Sequence, residues 1–360
     1  MKKSFRYIVM SLVILFGLNA PQAFAGNKDR SGQAGAAELL INPWAASSGW
    51  GNAGMSFVHG LDAIYGNVAG ITACNKLDLN FSHTSWLVGT DVNISSFGVL
   101  ARVGESSVLG VSLMSFNIGE IAVTTTNNPD PSTQTFKPNL MNINLSFGHS
   151  FSNSISGGAT IKIISESIKD MSGVGVALDA GIQYVTGPLD NVHFGITLKN
   201  IGPTMKFSGD GISFKAFFTN GSIDQNQFTV NQRTDEFELP TQLAIAAAYD
   251  FHMGAQSRLT VAGNFSSNSF TNDQFTLGLE YGWREILLVR AGYTYENGLL
   301  AKEGQEAAEC MNLNRGLAAG CSVQIPLSKD EDGLKLAIDY SYRDTYTFKG
   351  THSVGARIIF

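Results

Sequence analysis

The sequence is short of most of what a soluble enzyme uses. Charged residues make up 15% of the chain against 44% hydrophobic, proline occurs 9 times, and the 3 cysteines are Cys74, Cys310 and Cys321. That cysteine count excludes a disulfide-built scaffold, and the spacing fits no zinc site; Cys310 and Cys321 could close a loop in an oxidising compartment or stay unpaired thiols. The 6 histidines, His59, His83, His149, His193, His252 and His352, show no metal-ligand spacing. There is no Gly-x-Ser-x-Gly elbow, His-Glu-x-x-His, phosphate loop or dinucleotide fingerprint. Ser82 and His83 are adjacent, but neighbours on a strand point to opposite faces. No catalysis, metal or cofactor is therefore expected. A net charge of -6 with no basic patch excludes nucleic acid as a partner.

Long apolar runs are missing too, with one exception at the start. Residues 1–25 read MKKSFRYIVMSLVILFGLNAPQAFA: Lys2, Lys3 and Arg6 form a basic head, Ile8 to Leu18 an apolar run, and Ala23-Phe24-Ala25 a small-x-small cleavage site. This is the pattern of a secretory signal peptide, removed on export. No cysteine stands at the processing site, so no lipoprotein anchor is expected. The run is too short to span a membrane as a helix, and nothing like it recurs.

What the chain does have is alternation. Leu334, Leu336, Ile338, Tyr340 and Tyr342 are interleaved with Lys335, Ala337, Asp339, Ser341 and Arg343, and after a turn the pattern returns as His352, Val354, Ala356, Ile358 and Phe360. Each is a strand with one apolar and one polar face. An unfinished edge of this kind invites aggregation unless a closed barrel pairs the last strand with the first. The alternative is a two-stranded edge of a sandwich.

The same pattern repeats from Lys76 onward, for example Leu77, Leu79, Phe81; Val92, Ile94, Phe97, Val99; Val174, Val176, Leu178, Ala180, Ile182, Tyr184; and Phe275, Leu277, Leu279, Tyr281, Trp283. It defines about fourteen segments, an even number of the length that single-chain bacterial outer-membrane barrels use. Links after even-numbered segments are all short, whereas those after odd ones include the long stretches 124–138, 202–239 and 298–312. Short turns at one end and long loops at the other are an outer-membrane arrangement, with both chain ends on the periplasmic side. Aromatics at strand tips, among them Tyr249, Phe251, Tyr293 and Tyr295, fit girdles at the lipid interfaces. The fold expected is all-β: a transmembrane up-and-down antiparallel barrel over 76–360, preceded by a Gly/Ala-rich plug-like segment over 26–75 with a short helix from Asp62 to Gly66.

The polar faces should line the lumen, with Lys162, Asp179, Lys199, Arg258, Glu280, Arg284, Arg290, Glu296, Lys335, Asp339, Arg343 and Arg357. If the turn at Arg284-Glu285 is tight, Glu280 stands opposite Arg290. These charges are either a pore lining or ion pairs that fill a narrow interior. In the long stretch 202–239, Phe207, Phe214, Phe217, Phe218, Phe228 and Phe237 are either anchors for a docking protein or side chains folded over the barrel mouth.

A family resemblance enters at Gly60-Leu61-Asp62-Ala63-Ile64-Tyr65-Gly66-Asn67-Val68-Ala69-Gly70-Ile71. With the opening Ala34-Gly35-Ala36-Ala37-Glu38-Leu39-Leu40, it resembles the plug motif of PorV/PorQ proteins, a branch related to FadL-type barrels. The matching positions are Asp62, Ala63, Tyr65, Asn67, Ala69 and Gly70. Val68 stands where Pro is usual and Gly66 where Trp is common, which implies a looser turn after Asn67. The C-terminal Phe360 also resembles an outer-membrane assembly signal, implying the barrel-assembly machinery as a partner besides the membrane lipids. The resemblance implies a non-enzymatic protein of the type IX secretion system of Bacteroidetes-like bacteria. Its long loops would bind secreted proteins through their C-terminal signal domains, or the translocon or sortase complex. Two other readings stand beside it: FadL-like transport of hydrophobic small molecules, and a general diffusion porin.

Overall fold

The computed structural model describes residues 26–124, 129–130, 134–218, 226–254, 256–297, 313–328, 333–346 and 348–360. Its alternating stretches form antiparallel strands: β1 Leu77–Ser85, β2 Asn93–Val103, β3 Ser107–Asn117, β4 Asn139–Ser150, β5 Ile155–Ile168, β6 Met171–Thr186 and β7 Val192–Ile201. There follow β8 Gln242–His252, β9 Ser257–Asn268, β10 Gln274–Trp283, β11 Leu287–Glu296, β12 Asn314–Pro326, β13 Lys335–Thr345 and β14 Thr351–Ile359. Each strand pairs with its neighbours in the chain, and β1 pairs with β14 from Asp78↔Ile359 to Ser85↔His352, so the sheet closes into a fourteen-strand barrel. Closure gives the strand edges partners that a hydrocarbon solvent cannot supply.

Which face points outward follows the alternation. On β6, Val174, Val176, Leu178 and Ile182 project outward, whereas Ala177, Asp179 and Gln183 are buried inside. The outward set across the barrel is Phe, Leu, Ile, Val and Tyr, a band that lipid must cover. The aromatics at strand tips face out as expected, Tyr249, Phe251, Tyr281 and Trp283 at one end and Tyr293 and Tyr295 at the other. This is the architecture of a bacterial outer-membrane protein. One strand departs from the expected phase: Ile94 on β2 points inward and packs with Met114 and Phe116, while Phe97 remains outside. The apolar positions of β2 change parity between Ile94 and Phe97, because the lumen end of the strand has an apolar neighbour to meet.

The strand ends on one side of the barrel are joined by short stretches of sequence, and those joined by the long stretches after β3, β7 and β11 lie on the other. One tight turn is at Arg284 and Glu285, both left-handed (φ 55 and 52), with Ile286 N–H donating to Trp283 O at 3.0 Å. Arg284 itself sits in this exposed turn rather than in the lumen. The turn sets the β10–β11 register and places Glu280 opposite Arg290.

Residues 26–75 run through the barrel. At the long-loop end Arg30 pairs with Glu238 at 2.5 Å and lies 4.4 Å above the Phe270 ring. The chain then descends through short helical turns, Ala37–Leu40, Ala45–Ser48, Ala53–Ser56, Gly60–Ile64 and Val68–Ala73. It leaves at the short-turn end, where Arg102 donates to Cys74 O and Thr72 O, both at 2.8 Å. Its few bulky residues find a core against the wall: Leu61, Ile64, Val68 and Ile71 pack with Leu100 and Val108 of the barrel. The wall makes room with glycine. A Cβ on Gly320 would stand 3.0 Å from Gly49 Cα, and one on Gly158 would stand 2.9 Å from Val68 O.

The helix expected over Asp62 to Gly66 is a 3-10 turn two residues earlier, Gly60–Ile64. The turn after Asn67 is not loose. The Asn67 side chain accepts from Ala69 N–H at 3.2 Å and caps Val68–Ala73, so the cap does the work that Pro would do.

Candidate functional site: the barrel lumen

The expected motif residues are what seat the segment in the lumen. Asp62 Oδ1 accepts from Ser47 N–H at 3.0 Å, and its Oδ2 accepts from Asn80 of β1 at 3.4 Å. Tyr65 O–H donates to Leu40 O at 2.5 Å, and Lys199 donates to Tyr65 O at 3.2 Å while lying 4.0 Å above its ring. Asn67, fully buried, donates to Ile182 O at 3.0 Å and Ile196 O at 3.4 Å, backbone carbonyls of β6 and β7. Ala63 and Ala69 have no exposed surface, and a Cβ at Gly70 would collide with Val58 O. Side chains this small allow the turns to stack.

Two large cavities lie in the lumen among the described residues. The lower, about 380 Å³, has an apolar wall from the segment (Trp50, Met55, Phe57, Val58) and a charged wall from the barrel. The upper, about 350 Å³, is lined by polar groups including Gln242, Gln274, Glu296 and Arg343. Asn52 borders both; Ser47 and Trp50 face the lower cavity, Ser48 and Gly51 the upper. The turn Ala45–Ser48 and the residues just after it are thus the partition.

The charged wall is one continuous belt across eight strands. His193 meets Asp250 at 3.1 Å, and Asp250 lies 3.6 Å from Arg258. Arg258 bonds Glu280 at 2.8 Å, and Glu280 bonds Arg290 at 2.6 Å. Arg290 donates to Ser322 at 2.5 Å, Ser322 donates to Asp339, and Asp339 takes two bonds from Arg357 at 2.6 and 2.8 Å. Of the twelve lumen charges expected from the sequence, Arg258, Glu280, Arg290, Asp339 and Arg357 belong to it. Every one is bound to an opposite charge, which is how a narrow interior tolerates them. The belt neutralises itself and leaves the cavity no excess of either sign on that wall.

Sequence reasoning missed His193, Asp250 and Ser322 as links in this chain. Their signal was parity combined with register: Asp250 lies directly opposite Thr260, and Ser322 directly opposite Asp339. Counting from the tight turns would have aligned them.

Of the loop phenylalanines, Phe207 folds inward and its ring centre lies 5.6 Å from that of Phe237. Phe214 and Phe228 sit on a hairpin, Ser213–Phe218 with Asn226–Asn231, and are 52% and 49% exposed. The side chains of Phe217 and Phe218 lie outside the described residues. Cys321 is a free thiol in the middle of β12; Cys310 lies outside the described residues.

No protein-family model and no curated protein matches the sequence. Solved structures do. The chain is similar to the Ralstonia pickettii toluene transporter TbuX, with a TM-score of 0.51 and 13% identity over 88% of this chain and 96% of that one. It is similar to the CymD monoaromatic hydrocarbon channel at 0.50 and 13%, covering 89% and 97%, and to the Pseudomonas putida toluene transporter TodX at 0.50 and 12%, covering 88% and 96%. It shares the fold of these outer-membrane barrels. At such identities the likeness is one of fold, and these matches do not single out the PorV/PorQ branch. Within this barrel the divided lumen, rather than the loops, is the feature best suited to a site.

Proposed function

We propose that the barrel admits small hydrophobic molecules, which occupy the lower cavity on their way across the outer membrane. The observation that carries this reading is the cavity itself. It is of a size suited to a compact ligand, one wall is aromatic and aliphatic, and the arginines and carboxylates of the other are bound to one another. An uncharged ring would lose little by leaving water for the Trp50 and Phe57 side. The barrels of similar fold are described as toluene transporters and a monoaromatic hydrocarbon channel. Crystals soaked in bromobenzene test the reading: anomalous density against Trp50 and Phe57 supports it, and density confined to the lipid-facing exterior overturns it.

A second reading rests on the hairpin that presents Phe214 and Phe228. Exposed aromatics on a long extracellular loop suit docking of a protein, such as the C-terminal signal domain of a secreted substrate or a translocon or sortase subunit. Capture of such a domain by the detergent-solubilised barrel, lost in a Phe214→Ser/Phe228→Ser variant, would favour it. Capture unaffected by that variant would count against it.

A further inference from the structure

The upper cavity is bordered by an arginine that has no anion. Arg258, Arg290 and Arg357 are each bound to a carboxylate, whereas Arg343 makes no ion pair among the described residues. One of its terminal nitrogens reaches Asn42 O, at a long 3.4 Å, and its buried Nε–H has no acceptor. The guanidinium lies over the Trp86 ring, 5.2 Å from the ring centre. Contact with a ring face leaves the in-plane N–H groups of a guanidinium available, and these grip a planar oxyanion two at a time.

Glu296 borders the same cavity but does not answer this cation. Arg343 stands level with Ala318 of β12 and, beyond it, with Gly292 of β11, four residues short of Glu296. Strand geometry therefore separates the two backbones by roughly 10 Å across the wall and roughly 13 Å along it. Glu296 Oε2 also takes the Gln274 amide at 2.9 Å.

The rest of the lining is rich in amides. Gln242 Nε2 donates to Asn268 and Gln274 Nε2 to Glu296, but the Oε1 atoms of both glutamines accept no bond from a described residue. Asn52 Oδ1 accepts from Asn42, and its Nδ2 donates to no described residue. Amide acceptors and donors left over together suit hydroxyl groups, each of which both gives and takes a hydrogen bond. A hydrocarbon here would strip water from these groups and from Arg343 and return nothing. At about 350 Å³ the cavity takes one small molecule.

We propose that the upper cavity binds a sugar acid, with its carboxylate on Arg343 and its hydroxyls toward the amides of Gln242, Gln274 and Asn52. One unpaired cation calls for one anionic group, and the leftover amides call for a polyhydroxylated body. The site lies across the partition from the lower cavity, and the transport reading stands or falls without it.

Titration calorimetry with glucuronate, glucose and acetate tests this on the full-length mature barrel in lauryldimethylamine oxide, a detergent that carries no sugar. Glucuronate is expected to bind saturably, one per barrel. It should bind at least about tenfold more tightly than glucose, which lacks the carboxylate, the factor expected for one charge-assisted hydrogen bond. It should likewise exceed acetate, which lacks the hydroxyls. Arg343→Gln, checked for folding by heat-modifiable migration on gels, should abolish the preference for glucuronate over glucose. If that variant does not fold, the wild-type comparison decides alone. No saturable binding of glucuronate, glucose or acetate binding as tightly, or a preference that survives in folded Arg343→Gln overturns the proposal.

Discussion

Arg290 Nε donates to Glu280 Oε2 at 2.6 Å across the β10–β11 ladder, and both side chains are buried at the lumen wall. Glu280 is also bound by Arg258, so this one carboxylate serves two guanidinium groups. Removing it leaves Arg290 without a carboxylate in a confined space, while Arg258 keeps Asp250 and Glu285. Glu280→Gln is expected to destabilise the barrel by about 3–5 kcal/mol, and the paired change Glu280→Leu/Arg290→Met by less than Arg290→Met alone. Urea unfolding in lipid vesicles, with double-mutant-cycle analysis, measures the difference.

Asn67 inserts its amide between β6 and β7 while capping the last helical turn of the segment. Asn67→Leu keeps the volume and discards both functions. It is expected to cost about 1–3 kcal/mol, because the carbonyl of Ile182 and the N–H of Ala69 are left unpaired. The measurement is again vesicle unfolding, and a loss below about 0.5 kcal/mol would contradict the role given to this residue.

Gly292 on β11 faces the backbone of Trp50, and a Cβ there would run into the Trp50 carbonyl. Gly292→Val is expected to push the partition at Ala45–Ser48 off the wall and join the two cavities. Planar-bilayer recordings should show low conductance for the wild type and a clear rise for the variant. High conductance in the wild type would instead favour a diffusion porin.

Burial and the neighbouring Glu166 push the Glu38 carboxyl up from 4.5 to about 7. An acid whose pKa is raised by folding favours the folded state in its protonated form. The contribution to seating of the segment is fully present below the ordinary value and is lost as pH rises through about 7. The Lys162–Asp179 pair and Lys199 face the same region and limit the effect. Protease protection of residues 26–75 should fall between about pH 5 and pH 8 in the wild type and fall less in Glu38→Gln, where the buried Glu166 carboxyl is the one left to titrate.

How much of this was legible in the sequence varies by level. Period-two alternation marked the strands because lipid outside and polar lumen inside impose opposite demands on successive residues. The Arg284-Glu285 turn then fixed the Glu280–Arg290 facing. The helix at Asp62 was misplaced, because a segment held by barrel contacts need not follow helical periodicity; Leu61 and Ile64 answer to Leu100 and Val108 of the wall. Ile94 was assigned outward because alternation alone cannot reveal an apolar neighbour inside. Glu38, Glu166 and Asn142 are far apart in sequence and share no motif, so only the fold brings Glu166 and Asn142 to the Glu38 carboxyl.

Flux across a membrane tests the central claim most directly. Outer-membrane vesicles carrying the protein, loaded from outside with radiolabelled toluene, should equilibrate faster than vesicles lacking it, and Ala46→Phe, which narrows the lower cavity, should slow them toward the protein-free rate. Equal rates with and without the protein, or a rate that Ala46→Phe leaves unchanged in a correctly folded barrel, would contradict passage through the lumen.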